Sequence, residues 1–555
     1  MKKLLLAGLA ACLPIGLFAQ TAVDAMSVSQ SELRGTARFM SMAGAFTALG
    51  GDISTLSQNP AGIGVYRSSD VSLTFGLDML SANSNAAGNS YTTTQTKFNV
   101  NQFGFVGSTA HGAFNWGVSY NRVASFNRSF GGSLGELGSS YTNLVADYTT
   151  ADGLPQDMLA PSKNYSPYWD SYGNFGYAPW SSALLYNSYA INPTSADAKA
   201  YVGLWDYDRT SGTGQYSIEE RGQIDEYDIN IGGNVADVVY WGIGVGITDL
   251  DYNQRAYYSE ELSNANVPDY DGISYTDGSA SWRLSNAKHI SGTGVNLKFG
   301  LIFKPINEFR LGLAVHTPTW YSLDYDGAAQ ADYRYISPSY EQGKFYNGTA
   351  VTGTDGDNWY SDQFSWKLNS PWRLMVGAAG VIGTKGILSL DYEYKAYSAM
   401  RLKDQNGTEY PALTEDVKTY YRPTSTIRIG GEYRVTPAFS VRAGYSYETS
   451  PVTTEALDGN NGVTANYVYT SGPDDTETQP SYTFDRSTQY ITLGLGYRYQ
   501  RFYADLAYVH RYRQSDYHAY TDYNENVSPG YLVTAPVAKI TDHNNQLVLT
   551  VGMRF

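Results

Sequence analysis

Cysteine is nearly missing: Cys12 is the only one in 555 residues and lies in an apolar leader, so the exported chain has no thiol for a disulfide or thiolate metal site. Histidine is scarce too. The six, His111, His289, His316, His510, His518 and His543, stand one at a time, with no metal-ligand spacing and no nucleophile–base pattern, and phosphate loops are absent. No metal, no cofactor and no enzymatic activity are expected. Basic residues (38) are outnumbered by acidic ones (53), and a formal charge of −15 argues against nucleic acid as a partner. Long apolar runs are also missing. The single run, Leu4 to Phe18, is broken by Gly8, Pro14 and Gly16 and is too short for a membrane-spanning helix. With Lys2-Lys3 before it and Ala19-Gln20 after it, residues 1–20 read as a secretory signal peptide cut near Ala19. Leu9-Ala10-Ala11-Cys12 also matches a lipoprotein processing box, although the apolar run continues past the cysteine.

What is present is tyrosine (50), glycine (56) and tryptophan (10), in a chain of mean hydropathy −0.35. That is too polar for a helical membrane protein and suits a β-barrel with a polar lumen and aromatic rims. A period of two supports it. Ile491, Leu493, Leu495, Tyr497 and Tyr499 alternate with Thr492, Gly494, Gly496 and Arg498, and Trp241, Ile243, Val245 and Ile247 alternate with Gly242, Gly244, Gly246 and Thr248. A soluble half-buried strand looks the same. Number and spacing decide: strands are predicted near 70–80, 95–107, 113–123, 223–235, 240–258, 286–304, 308–320, 363–379, 385–398, 424–435, 439–449, 487–499, 502–513 and 543–555. Short turns, as at Ala236-Asp237 and Gln500-Arg501, alternate with long loops, the asymmetry of an all-β transmembrane antiparallel barrel of about fourteen strands. The last strand closes on Phe555, the type of signal read by barrel-assembly machinery.

Ahead of the strands the chain changes character. Phe39, Met42, Phe46 and Leu49 fall at helical spacing among Ala37, Ala43, Gly44, Ala45 and Ala48, which predicts a short, close-packing helix over 35–49. Gly50-Gly51 supplies a positive-φ stop, Asp52 caps a second turn, and Asn59-Pro60-Ala61 ends it. A compact helical piece before a β body reads as a hatch. This order resembles the FadL/TodX family of outer-membrane hydrophobic-compound transporters. Ser291 to Gly300, Pro305, Arg310 to Leu313, Thr317-Pro318, Ser370-Pro371, Asp391-Tyr392 and Arg442 to Tyr445 extend the likeness. The resemblance implies a barrel with a small N-terminal helical hatch inside the lumen and passive uptake of long-chain fatty acids or other hydrophobic compounds. It also implies release sideways through the wall, where Pro371 is a candidate irregularity. On this reading residues 21–69 are hatch and 70–555 barrel in the outer membrane of a Gram-negative bacterium, with 124–222 an extracellular loop insertion larger than the family pattern.

Candidate binding residues follow. Phe39, Met40, Met42, Phe46 and Leu49 offer apolar, adaptable surface for a ligand tail, and Asn59, Pro60 and Ala61 form a corner whose shift would open a path. The strand phase turns Arg310, Arg428 and Arg442 inward; most inward charges are expected to form ion-pair networks that fill the lumen and dock the hatch, and one or two unpaired arginines could instead meet a ligand carboxylate with the guanidinium fork. Aromatic stretches, Tyr165 to Tyr172 and Ala178 to Ile191, are expected as exposed patches on the outer loops. Partners are then a hydrophobic small molecule, outer-membrane lipid around a monomer, and the assembly machinery. The same family shape includes PorV-like components of a protein-secretion system, which bind cargo or partner proteins at their outer loops; that is the alternative function.

Overall fold

The computed structural model describes residues 22–109, 114–160, 178–195, 198–268, 274–339, 345–352, 354–355, 358–359, 362–458, 478–524 and 532–555. The leader with Cys12, His111 and the run Tyr165 to Tyr172 lie outside them.

Fourteen antiparallel wall strands form one closed ring. They are β1 (Asp70–Ala86), β2 (Asn89–Ser108), β3 (Phe114–Glu136), β4 (Ser211–Val235), β5 (Val239–Pro268) and β6 (Ser274–Ile306). Next come three strands in pieces: β7 (Phe309–His316 and Trp320–Ile336), β8 (Phe345–Val351, Asp362–Asn369 and Arg373–Ile382) and β9 (Gly386–Lys395 and Arg401–Asp404). The ring finishes with β10 (Thr424–Arg434), β11 (Phe439–Glu448), β12 (Tyr482–Tyr499), β13 (Phe502–His518) and β14 (Val537–Arg554). β14 pairs back onto β1, from Asp70 opposite Arg554 to Asn85 opposite Lys539. β2 and β3 pair only over Gln102–Ser108 and Asn115–Asn121, so the ring is closed by hydrogen bonds there over part of its height. The apolar phase faces out: Ile243, Ile247, Leu388, Leu390, Ile491, Leu493, Leu547 and Leu549 are each 41–55% exposed. Among the described residues no helix is long and apolar enough to cross a membrane.

The wall is taller than its apolar pattern. Alternation of Ile or Leu with Gly marks lipid contact and stops where the wall leaves lipid, while backbone pairing continues with Ser, Thr and Asn facing out. β1 and β2 therefore meet at a two-residue turn, Ala87-Gly88, with φ of 48° and 81°, where a long loop was expected. β3 continues to Glu136 and β4 starts at Ser211, so the insertion spans 137–210, not 124–222. At the opposite end the turns are tight as expected, with positive φ at Ala236, Asp237 and Gln500.

Three neighbouring strands are interrupted at one level, β7 at Thr317–Thr319, β8 at Ser370–Trp372 and β9 around the 3-10 turn Tyr397–Ala399. The sequence predicted single strands over 308–320, 363–379 and 385–398, with an irregularity only at Pro371. Pro318 and Pro371 have no N–H for the ladder. Ser370 and Thr319 bridge the gap, Ser370 N–H to Thr319 O at 3.1 Å and Thr319 N–H to Ser370 Oγ at 2.8 Å.

Inside the wall lie α1 (Ala22–Val28), α2 (Ala37–Ser41), α3 (Thr55–Gln58) and a 3-10 turn, Pro60–Val65. The helix expected over 35–49 ends at Ser41, because Ala43 and Gly44 take φ of 54° and 74°. At the other end of the lumen the described residues of the insertion fold as a cap with α4 (Tyr141–Ala151), α5 (Gln156–Leu159) and α6 (Trp180–Asn187).

Candidate functional site

The hatch touches the wall backbone to backbone. Cβ atoms added at Gly242, Gly312, Gly430 and Gly444 would overlap Pro60, Thr47 and Met42–Ala43 of the hatch. This explains why glycine fills the lumen phase of so many strands: at hatch level a side chain would hold the two apart. Close approach also breaks the α2 helix, since Met42–Ala43 presses between β10 and β11. Polar anchors finish the seat. Thr47 N–H donates to Asp391 Oδ2 at 2.7 Å, Asn59 Nδ2 to Thr47 O at 2.6 Å, His316 Nε2 to Gln58 O at 2.8 Å and Thr492 Oγ1 to Ser41 O at 2.9 Å. His316 is buried against the hatch. The Asn59 side chain also accepts from Ala61 N–H at 3.1 Å, fixing the Asn59-Pro60-Ala61 corner.

Phe39, Met40, Met42, Phe46 and Leu49 are all buried in one cluster with Leu33 of the hatch and Ala379, Tyr490, Ala507, Val509 and Val548 of the wall. The three predicted arginines are engaged as well. Arg442 bridges Glu432 and Asp505, both at 2.6 Å; Arg428 pairs with Glu393, which Arg373 also holds at 2.7 Å; Arg310 donates to the Leu49 carbonyl at 2.6 Å. The sequence reading did not single out Arg34. Its side chain is 2% exposed and reaches Glu32 at 2.7 Å and Asp78 of β1 at 2.8 Å, while Arg511 of β13 pairs with Glu32 from the other side. Burial pushes the Glu32 carboxyl up, but Arg511 and Arg34 outweigh it and hold the group at about 2.

Space remains beside this lock. A chamber of about 80 Å³ lies between α1 and the wall, lined by Phe126, Arg128, Tyr252, Tyr482, Arg513 and Tyr517 among others. A second, also about 80 Å³, sits under Glu32 and reaches Phe39, Arg373 and Arg428. A third, about 70 Å³, lies directly behind the interrupted strands, bounded by Ser29–Ser31 of the hatch and by Thr317, Thr319, Ser370 and Pro371. Pockets that hold drug-sized ligands measure about 300–1,000 Å³. The three cavities between hatch and wall are each far smaller than that. The strand phase that turns Asp505 inward does the same for Arg511 and Arg513, so the cationic side of the chamber was readable in β13. Arg128 was not, because the predicted β3 stopped short of it.

The cap closes the other mouth. Tyr141, Val145, Leu184, Leu185, Ile191, Tyr201 and Leu204 pack into one apolar cluster with inward side chains of β1, β3 to β7, β13 and β14. Ala178 to Ile191, expected as an exposed patch, is thus mostly buried: an aromatic stretch covers a barrel mouth as readily as it gathers a ligand. One carboxylate sits at the joint. Glu260 of β5 is fully buried and accepts from Tyr141 N–H at the start of α4 (3.0 Å), Tyr258 Oη (2.7 Å) and Trp282 Nε1 (3.0 Å). Replacing it with leucine leaves three buried donors unpaired, at about 1–3 kcal/mol each. Glu260→Leu is expected to make residues 137–210 sensitive to external protease while the barrel stays intact; resistance equal to the parent's would show that Glu260 does not hold the cap.

A closed wall with an apolar exterior, a polar lumen and a folded N-terminal body docked inside defines a plugged transmembrane β-barrel. No protein-family model and no curated protein matches the sequence. Among solved structures the chain is similar to a Pseudomonas aeruginosa FadL homologue, at 14% identity over 95% of this chain and 99% of that one, with a TM-score of 0.49. It is also similar to the P. putida toluene transporter TodX (12% identity, 94% and 99% covered, TM-score 0.44) and to the Ralstonia pickettii toluene transporter TbuX (13%, 94% and 99%, 0.42).

Proposed function

We propose that the protein lies in the outer membrane as a monomer and passes hydrophobic molecules inward by diffusion, with long-chain fatty acids as its main substrate. The observation that carries this reading is the row of small cavities between hatch and wall, which ends behind the interrupted strands. An open aqueous pore is a poor fit to a lumen filled at both ends. In the first chamber, apolar and aromatic surface from Phe126, Tyr252, Tyr482 and Tyr517 suits an apolar tail, and a carboxylate head would exchange for Asp542, which now pairs with Arg128 at 2.9 Å and Arg513 at 3.0 Å. The seam is the exit on this reading: three neighbouring strands break there at one level, and Thr319 and Ser370 bridge the gap with two hydrogen bonds. Trp320 and Trp372, about half exposed on the outside, flank it at the lipid side.

Filling the seam cavity tests the route. Thr319→Trp and Ser370→Trp are each expected to lower uptake of radiolabelled oleate to the level of cells without the protein, while oleate still co-purifies with the variant. Uptake equal to that of the parent would take the seam out of the path.

A further inference from the structure

We propose that His510 and His543 form a binding site for a first-row transition-metal dication, Cu²⁺, Ni²⁺ or Zn²⁺, on the outer surface of the barrel. The two residues come from the neighbouring strands β13 and β14, one register step apart: His510 is opposite Asn545 and Tyr512 opposite His543. Both stand on the outward phase, continuing the rows Leu506, Tyr508 and Leu549, Leu547 just past the apolar band. Their sequence separation hides the pair; only the register brings them together.

The geometry points to a cation between them. Nε2 of His510 lies 3.5 Å from Nδ1 of His543, and the ring centroids are 5.5 Å apart at an interplanar angle of 32°. An N–H donor bond normally spans about 2.7–3.2 Å, so this separation is long for one. Two imidazole nitrogens on one tetrahedral zinc, each at about 2.0–2.1 Å, stand about 3.4 Å apart. The second shell fits as well. Asn545 Oδ1 lies 2.8 Å from His510 Nδ1 and accepts from Tyr508 Oη at 2.7 Å. A carbonyl oxygen only accepts, so Nδ1 carries the proton and the Nε2 lone pair is left facing His543, the usual arrangement behind a metal-bound histidine. Tyr512 packs on the His543 ring at 5.3 Å and holds its orientation. Among the described residues no group of three or more His, Cys, Asp or Glu side chains gathers for a metal, so the pair would be a two-ligand chelate completed by water, with Cu²⁺ held most tightly.

Titration of the full chain in detergent micelles, purified without a polyhistidine tag, tests the site with CuCl₂ and NiCl₂. One equivalent of saturable Cu²⁺ binding with two nitrogen ligands by electron paramagnetic resonance is expected. His510→Ala and His543→Ala should each abolish that phase, and Asn545→Leu should weaken it by about 10-fold or more through loss of the second shell. Heat-modifiable electrophoretic migration of every variant verifies that the barrel has formed. Absence of a saturable phase in the parent protein, or a phase that survives both histidine substitutions, would overturn the proposal.

Discussion

Removing the hatch alone, residues 22–66, is expected to leave the barrel nearly impermeable to ions in planar bilayers; removing hatch and cap together is expected to open a steady pore. The reason is that two independent bodies close the lumen in series. The cap forms its own apolar cluster with inward side chains of eight wall strands, and the hatch forms another with β8, β9 and β12 to β14. The wall keeps its shape without either, because its ladder closes from β14 to β1. Replacing residues 138–209 by a short Gly-Ser turn should likewise conduct poorly, since the hatch still fills the other end. Large, steady conductance after loss of the hatch alone would show that the cap does not seal the mouth.

Arg34→Met is expected to loosen the hatch without unfolding the wall. The substitution deletes two buried ion pairs and leaves Asp78, whose side chain is 4% exposed, without its cation. Breaking a buried pair by removing one partner costs about 3–5 kcal/mol. The methionine side chain still fills the space, so the loss is electrostatic. Hydrogen–deuterium exchange of the hatch amides over residues 29–54 should speed up by at least about 100-fold, since each 1.4 kcal/mol is a factor of ten. Amides of β4 to β6 should keep their protection. Arg34→Lys is expected to fall between, because it retains charge but not the planar fork that meets Glu32 and Asp78 together. Hatch exchange unchanged in Arg34→Met would mean that the apolar seat, not the ion pairs, holds the hatch.

Much of this architecture could be read from the chain before folding. Period-two alternation located each lipid-facing stretch, because lipid contact demands an apolar residue at every second position. It failed where that demand ends: the upper parts of β1, β2, β3 and β4 pair as strands with polar residues outward, and nothing in Asn89 to Thr96 distinguishes them from a loop. Gly50-Gly51 was readable as a turn because few other residues tolerate positive φ, and Asn59-Pro60 because proline keeps the residue before it out of the α region. The end of α2 at Ser41 was not readable, since it depends on wall glycines about four hundred positions away. Inward arginines followed from strand phase, but phase cannot show partners: Arg428 meets Glu393 on the next strand, Arg442 meets Glu432 on the next strand and Asp505 two strands away, and Arg34 is set by the path of the hatch. Pro371 marked the seam, whereas its alignment with Pro318 across the wall required the register.

The central claim, that a hydrophobic molecule travels between hatch and wall, is tested most directly by mass spectrometry of organic extracts from the detergent-purified protein, with the hatch-deleted form beside it. A long-chain fatty acid or other apolar molecule abundant with the intact chain and lost without residues 22–66 is the predicted result. An empty barrel that instead brings down a defined protein partner through its cap would contradict the account and favour a role in protein secretion.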